Sequence, residues 1–131
     1  MQILVDTCGW IEWLVGGALA DHFAEALRQS DRLVVPTAVQ FELYKWVRRE
    51  RGEATALEVV AMTEEAHIVS LDSRIALIAA EHALRHHLPF ADAIIYGTAQ
   101  TIGAKVITCD DHFEALPGVE YYSKKPPRND S

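Results

Sequence analysis

Four acidic residues fall where apolar segments end or turn. Asp6 closes Ile3-Leu4-Val5, and Glu42 sits within an apolar helical stripe. Asp92 follows Pro89 at the start of another such stripe, and Asp110 lies just past Val106-Ile107-Thr108. Carboxylates gathered at one edge of a sheet form an oxygen-only ligand set, which suits Mg²⁺ or Mn²⁺ rather than zinc. Three of the acids also have plainer readings. Asp6 can cap the following helix, Asp110-Asp111 can make a turn, and Asp92 can complement a helix macrodipole. Glu42 resists such a reading, because Val39, Glu42, Leu43 and Trp46 share one helix face. An ionised carboxylate on that face carries a large desolvation cost unless something pairs with it. Asp92, on the stripe Leu88, Asp92, Ile95, Ala99 and Ile102, makes the same case more weakly. A shared cation site accounts for all four acids at once.

Other reactive residues carry less. Lys45, Arg48, Arg49 and Arg51 follow Glu42 closely. They read either as a solvated, dipole-favoured helix end or as contacts for a phosphate backbone. His82 and His86 have metal-pair spacing but no third ligand, and they continue the stripe of Ile75, Ile78 and Ala79. Packing histidines are therefore expected. Trp10, Trp13 and Trp46 are read as core or subunit-interface residues. Cys8 and Cys109 flank the key acids and read as small, partly buried thiols. If their strands are neighbours, a redox pair is the alternative. No zinc-finger spacing, glycine-rich phosphate loop or nucleophile elbow is present.

The segments that carry these residues alternate strand and helix. Strands are expected at Gln2–Val5, Leu33–Val35, Ile68-Val69, Lys105–Thr108 and Val119–Tyr122. Helices are expected from about Thr7 to Val15, Leu19 to Arg28, Thr37 to Arg49 and Glu53 to Glu65. Two more run from Ser73 to His87 and from Pro89 to Gly103. Thr37 and Gln40 have capping-box spacing, Asp72 or Ser73 caps the fifth helix, and Gly103 suits the position after a helix end. This order implies an α/β fold, a three-layer α/β/α sandwich around a mostly parallel sheet of four to five strands. Ligands of such sheets lie beyond the carboxyl ends of the strands, at a switch in strand order. Asp6 and Asp110 fall at such ends.

With 131 residues and half of them apolar, the chain has the size of one domain with one core. Residues 1–123 are expected to form that domain, and 124–131 a solvated tail. The formal charge is 12 − 19 = −7, which argues against extended non-specific gripping of nucleic acid. It does not argue against a nuclease, because a cation site concentrates acids. Two cysteines are too few for a disulfide framework. No apolar run approaches the roughly 20 residues of a membrane span, and the N-terminus lacks the features of a signal peptide. No membrane association and a cytoplasmic location are expected.

The ordered motifs resemble those of PIN-domain nucleases. Leu4-Val5-Asp6-Thr7 with Trp10-Ile11 resembles the first motif and Phe41-Glu42-Leu43 the second. Leu88-Pro89-Phe90-Ala91-Asp92-Ala93 resembles the third, and Val106-Ile107-Thr108-Cys109-Asp110-Asp111-His112-Phe113 the fourth. Brevity makes the chain similar to VapC toxins of VapBC toxin–antitoxin systems. The resemblance implies a Mg²⁺- or Mn²⁺-dependent endoribonuclease, with catalytic and metal roles at Asp6, Glu42, Asp92 and Asp110. It gives supporting roles to Thr7 and Thr108, and leaves Asp111 and His112 unassigned. It also implies products with 5′-phosphate and 3′-hydroxyl ends, a homodimer, and a VapB-type antitoxin inserted into the acidic groove. Competing readings are a non-catalytic PIN-fold binding domain, a haloacid-dehalogenase-like phosphatase and a receiver domain. The phosphatase wants an acid at position 8, where Cys stands, and the receiver an acidic pair where Val5-Asp6-Thr7 stands.

Overall fold

Ile3–Val5 and Leu33–Pro36 are buried at every position, the pattern of parallel strands covered on both faces. In the computed structural model, which describes residues 1–124, these two strands, β1 and β2, lie at the centre of a five-stranded sheet. The expected tail over 124–131 falls outside the described residues beyond Lys124. Strand β3 is His67–Val69, β4 is Lys105–Thr108 and β5 is Val119–Tyr121. The order is β3-β2-β1-β4-β5, and every pairing is parallel. The helices among the described residues are α1 (Thr7–Leu14), α2 (Ala20–Leu27), α3 (Thr37–Arg51), α4 (Glu53–Thr63), α5 (Ser73–His86) and α6 (Phe90–Ile102). The result is the expected three-layer α/β/α sandwich.

The topology fixes where a site can form. Strand order reverses between β1 and β4, which pair directly with Val5 opposite Ile107. The residues that follow these two strands therefore emerge side by side at the switch point. They are Asp6 and the Cys109-Asp110 pair. The short Ile68-Val69 segment is a true strand, held by β2 through Val35 opposite Ile68.

Helix α6 departs from the single stripe expected of it. Seven successive residues, Ala93 to Ala99, are buried, as in a helix covered on all sides. At Gly97 an added Cβ would sit 2.8 Å from that of Ala79, so α5 and α6 approach more closely than any larger residue permits. Gly103 ends α6 with φ of 70°, the left-handed conformation that favours glycine.

The expected capping box on α3 is not formed. Pro36 occupies the cap without a side-chain hydrogen bond, and Thr37 already lies inside the helix. The Thr37 hydroxyl instead accepts from Leu71 N at 3.3 Å. Gln40 turns away to donate to Thr63 Oγ1 and Glu64 Oε1, which ties α3 to the end of α4. Asp72, not Ser73, caps α5 by accepting from Ile75 N at 2.9 Å. Among the described residues no helix is long and apolar enough to cross a membrane.

Candidate metal centre

Asp6 is 2 % exposed and both of its oxygens are engaged. Oδ1 accepts from Gly9 N at 3.2 Å, capping α1. Oδ2 accepts from the Thr108 hydroxyl at 2.8 Å. The capping reading of Asp6 therefore holds, and a second contact reaches β4. Thr108 Oγ1 also accepts from Asp110 N at 2.9 Å, so one hydroxyl bridges the acids that follow β1 and β4. Burial pushes the Asp6 carboxyl well above the usual carboxylate range. Cys8 and Asp110 add to that shift, and the hydrogen bonds from Thr108 and Gly9 oppose it.

Glu42 is less buried than its stripe suggests. Val39, Leu43 and Val47 form the buried face of α3, and Glu42 lies at its margin. Its partner is Thr7, whose hydroxyl donates to Oε1 at 2.6 Å. That bond links the first turn of α1 to α3 across 35 residues. The stronger desolvation argument thus belongs to Asp6, the reverse of the sequence reading. An open cavity of about 230 Å³ adjoins Glu42 and is lined by Thr7, Ile11, Phe41, Lys45, Trp46 and Arg49. Lys45 and Arg49 of the basic cluster share this cavity. Arg48 does not line it.

Asp92, in the first turn of α6, is pushed up to about 6 by burial first, then by the charges of Asp110 and Glu42, with His112 opposing. Asp110 acts on Asp6 as well as on Asp92, and Glu42 acts on Asp92. Asp110 and Asp92 are thus the acids through which Asp6 and Glu42 are linked. His112, which sequence reasoning left unassigned, lies beside these two. Its Nδ1 is 2.9 Å from Asp92 Oδ2 and 3.1 Å from Asp110 Oδ1. The cause is local, because Asp110 caps a 3₁₀ turn over Asp111–Phe113 by accepting from His112 N at 2.9 Å. That turn folds His112 back over the acids and leaves Asp111 exposed.

Asp92, Asp110 and His112 present ligand atoms within 4.8 Å of one another. Neighbouring carboxylates repel one another, and a cation relieves that repulsion. Two carboxylates and an imidazole can hold a divalent cation, and Asp6 and Glu42 lie outside this group of three. Outside this centre, His82 and His86 stack on each other with rings 5.8 Å apart and meet the edge of Tyr96, as packing histidines do. Trp10 is buried, and Trp13 and Trp46 pack against the core.

An all-parallel sheet with carboxylates at its switch point, on the chain order Asp6, Glu42, Asp92, Asp110, defines an acid-site α/β domain. Residues 3–119 match the PIN domain, and the chain belongs to that family. No curated protein matches it significantly. Among solved structures, a toxin–antitoxin complex from Klebsiella pneumoniae superposes with a TM-score of 0.79 at 22% identity, covering 93% of this chain and 99% of that one. VapC20 of Mycobacterium tuberculosis, a Sarcin-Ricin loop cleaving toxin, gives 0.72 at 19% identity over 91% and 98%. DNA-bound VapBC from Salmonella typhimurium gives 0.71 at 19% identity over 95% and 99%. At these identities the likeness is one of fold.

Proposed function

We propose that this PIN domain is a metal-dependent endoribonuclease of the VapC toxin kind, hydrolysing RNA phosphodiester bonds at Asp6, Glu42, Asp92 and Asp110. The observation that supports the reading is the cluster of Asp92 and Asp110 with His112, with Asp110 acting on Asp6 as well and Glu42 on Asp92. The fold shared with a Sarcin-Ricin loop cleaving toxin supports RNA as substrate.

Mg²⁺ or Mn²⁺ would be held by these four carboxylates. Bound there, such an ion supplies Lewis acidity toward a phosphate oxygen and toward water. The protein's contribution is to fix the acids beforehand. Gly9 N and Thr108 hold Asp6, and Thr7 holds Glu42, so neither has to be ordered on binding. His112 offers the acids a counter-charge from the protein itself when it is protonated. Lys45 and Arg49, on the same cavity as Glu42, would meet the phosphate backbone. Arg48 lies outside that cavity and would add only its charge.

A VapB-type antitoxin and a homodimer belong to the same reading. The toxin–antitoxin complexes of the same fold support the first, as does an acidic groove suited to Arg or Lys from a partner. For the second, Phe41 and Phe90 are 67% and 79% exposed. They border an apolar cavity of about 320 Å³ beside Glu42, a surface that a second copy would cover. We place the protein in the cytoplasm with such systems.

Purified protein incubated with RNA tests the proposal. Cleavage that needs Mg²⁺ or Mn²⁺, stops with EDTA and is lost in both Asp6→Asn and Asp92→Asn supports it. RNA that both variants still cut refutes the site. Intact RNA with wild-type protein and either metal, alongside retained metal binding, assigns a non-catalytic binding domain.

A further inference from the structure

Cys8 and Cys109 take no part in the function proposed above. Yet the strand order that gathers the acids also gathers these thiols. Cys8 is in the first turn of α1, two residues after Asp6. Cys109 follows Thr108, the donor to Asp6, and precedes Asp110. The pairing of β1 with β4, Val5 opposite Ile107, brings the two residues to the same edge of the sheet. Cys109 is buried and Cys8 half-buried. Both line an open cavity of about 380 Å³ shared with Asp110, Asp111, Tyr121 and Lys124. A small oxidant can thus reach a thiol that already has a second thiol beside it.

We propose that Cys8 and Cys109 form a reversible intramolecular disulfide on exposure to a peroxide, and that this bond disables the adjacent acid site. Cys8, the more accessible sulfur, attacks one peroxide oxygen, breaking the O–O bond. It becomes a sulfenic acid, and one water leaves. Cys109 then attacks the Cys8 sulfur, forming S–S and breaking S–O, and a second water leaves. In sum, two thiols and one hydrogen peroxide give one disulfide and two waters. The two sulfurs together lose two electrons, which the peroxide gains. A dithiol reductant reverses the reaction.

The consequence for the site is geometric. A disulfide is about 2.05 Å long, shorter than any non-bonded approach of two sulfurs. Closing it draws the start of α1 against the end of β4. Asp6 and Asp110 flank the two cysteines and move with them. Displaced ligand supports weaken metal binding by about 10–100-fold. This last step rests on the proposed metal site, whereas formation of the disulfide does not.

The test uses the full chain, reduced, desalted and treated with stoichiometric hydrogen peroxide. The expected product loses two hydrogen atoms from its intact mass and both thiols from maleimide labelling. Proteolysis then releases a peptide pair joining Cys8 to Cys109, which dithiothreitol separates. Cys109→Ser should instead trap a sulfenic acid at Cys8 that reacts with dimedone, and Cys8→Ser should give no linked pair. Asp92→Asn should still form the disulfide, so a failed nuclease reading leaves this result legible. Wild-type protein that gains oxygen without linking, links between chains, or keeps both thiols overturns the proposal. Oxidised protein that binds Mn²⁺ as tightly as reduced protein overturns its regulatory part.

Discussion

The Thr108 hydroxyl donates to Asp6 Oδ2 at 2.8 Å across 102 residues of chain. Thr108 Oγ1 in turn accepts from Asp110 N. Thr108→Val removes both contacts in a buried position and leaves polar groups unpartnered. Urea denaturation should show a loss of about 1–3 kcal/mol. Thr108→Ser, which keeps the hydroxyl, should restore most of it. A Val variant as stable as wild type would remove Thr108 from the architecture of the site.

Thr7 governs Glu42 in the same way, but at a half-buried position. Thr7→Val should leave the fold nearly intact, within about 1.5 kcal/mol. It should lower metal affinity and RNA cleavage by about 10–100-fold, as losses of ligand-orienting contacts do. Calorimetry with Mn²⁺ and a cleavage assay would show the two falling together.

His112 sits between Asp92 and Asp110 and so competes with a metal for the same oxygens. His112→Ala should tighten Mn²⁺ binding in calorimetry and destabilise the metal-free protein. Weaker Mn²⁺ binding would instead make His112 a ligand.

Asp92 gives the site a pH dependence. Its carboxyl is raised to about 6 from 3.8, so the folded metal-free protein binds a proton that the unfolded chain releases between those values. Its contribution to stability is present below about pH 4 and is lost as pH rises through about 6. A metal must displace that proton, so Mn²⁺ affinity should fall as pH drops below about 6. Thermal melts with EDTA and with Mn²⁺ at pH 5, 6 and 7 would display both trends. Asp92→Asn should flatten the metal-dependent one.

Lys45 and Arg49 share the cavity of Glu42. If they meet phosphates, Lys45→Ala and Arg49→Ala should each weaken RNA binding uniformly across sequences. Each should also reduce the slope of log affinity against log salt by about one. Unchanged slopes would return them to a solvated helix end.

Much of this was legible in the sequence, because apolar runs punctuated by Gly and Pro mark the elements and their order implies a parallel sheet. Even Ile68-Val69, short as it is, pairs as a strand. The weighting of the acids was not legible. A cap and a buried ligand occupy the same position after a parallel strand, so Asp6 looked ordinary from its local context. Glu42 looked costly because periodicity gives a face but not its margin, which the contact with Thr7 defines. The place of His112 depends on a 3₁₀ turn of three residues, too short to leave a periodic signal. The capping box failed because Pro36 had already taken the cap and Thr37 found a distant partner in Leu71.

Strand order also sets when the molecule becomes competent. During synthesis β1, β2 and β3 can assemble with Glu42 held by Thr7, while the β4 side of β1 stays open and Asp6 lacks Thr108. Asp92 arrives only with α6, and Asp110 only once β4 has docked against β1. A growing chain therefore holds half of the acids and no site. The ribosome, itself RNA, finishes nearly the whole domain before the proposed chemistry exists.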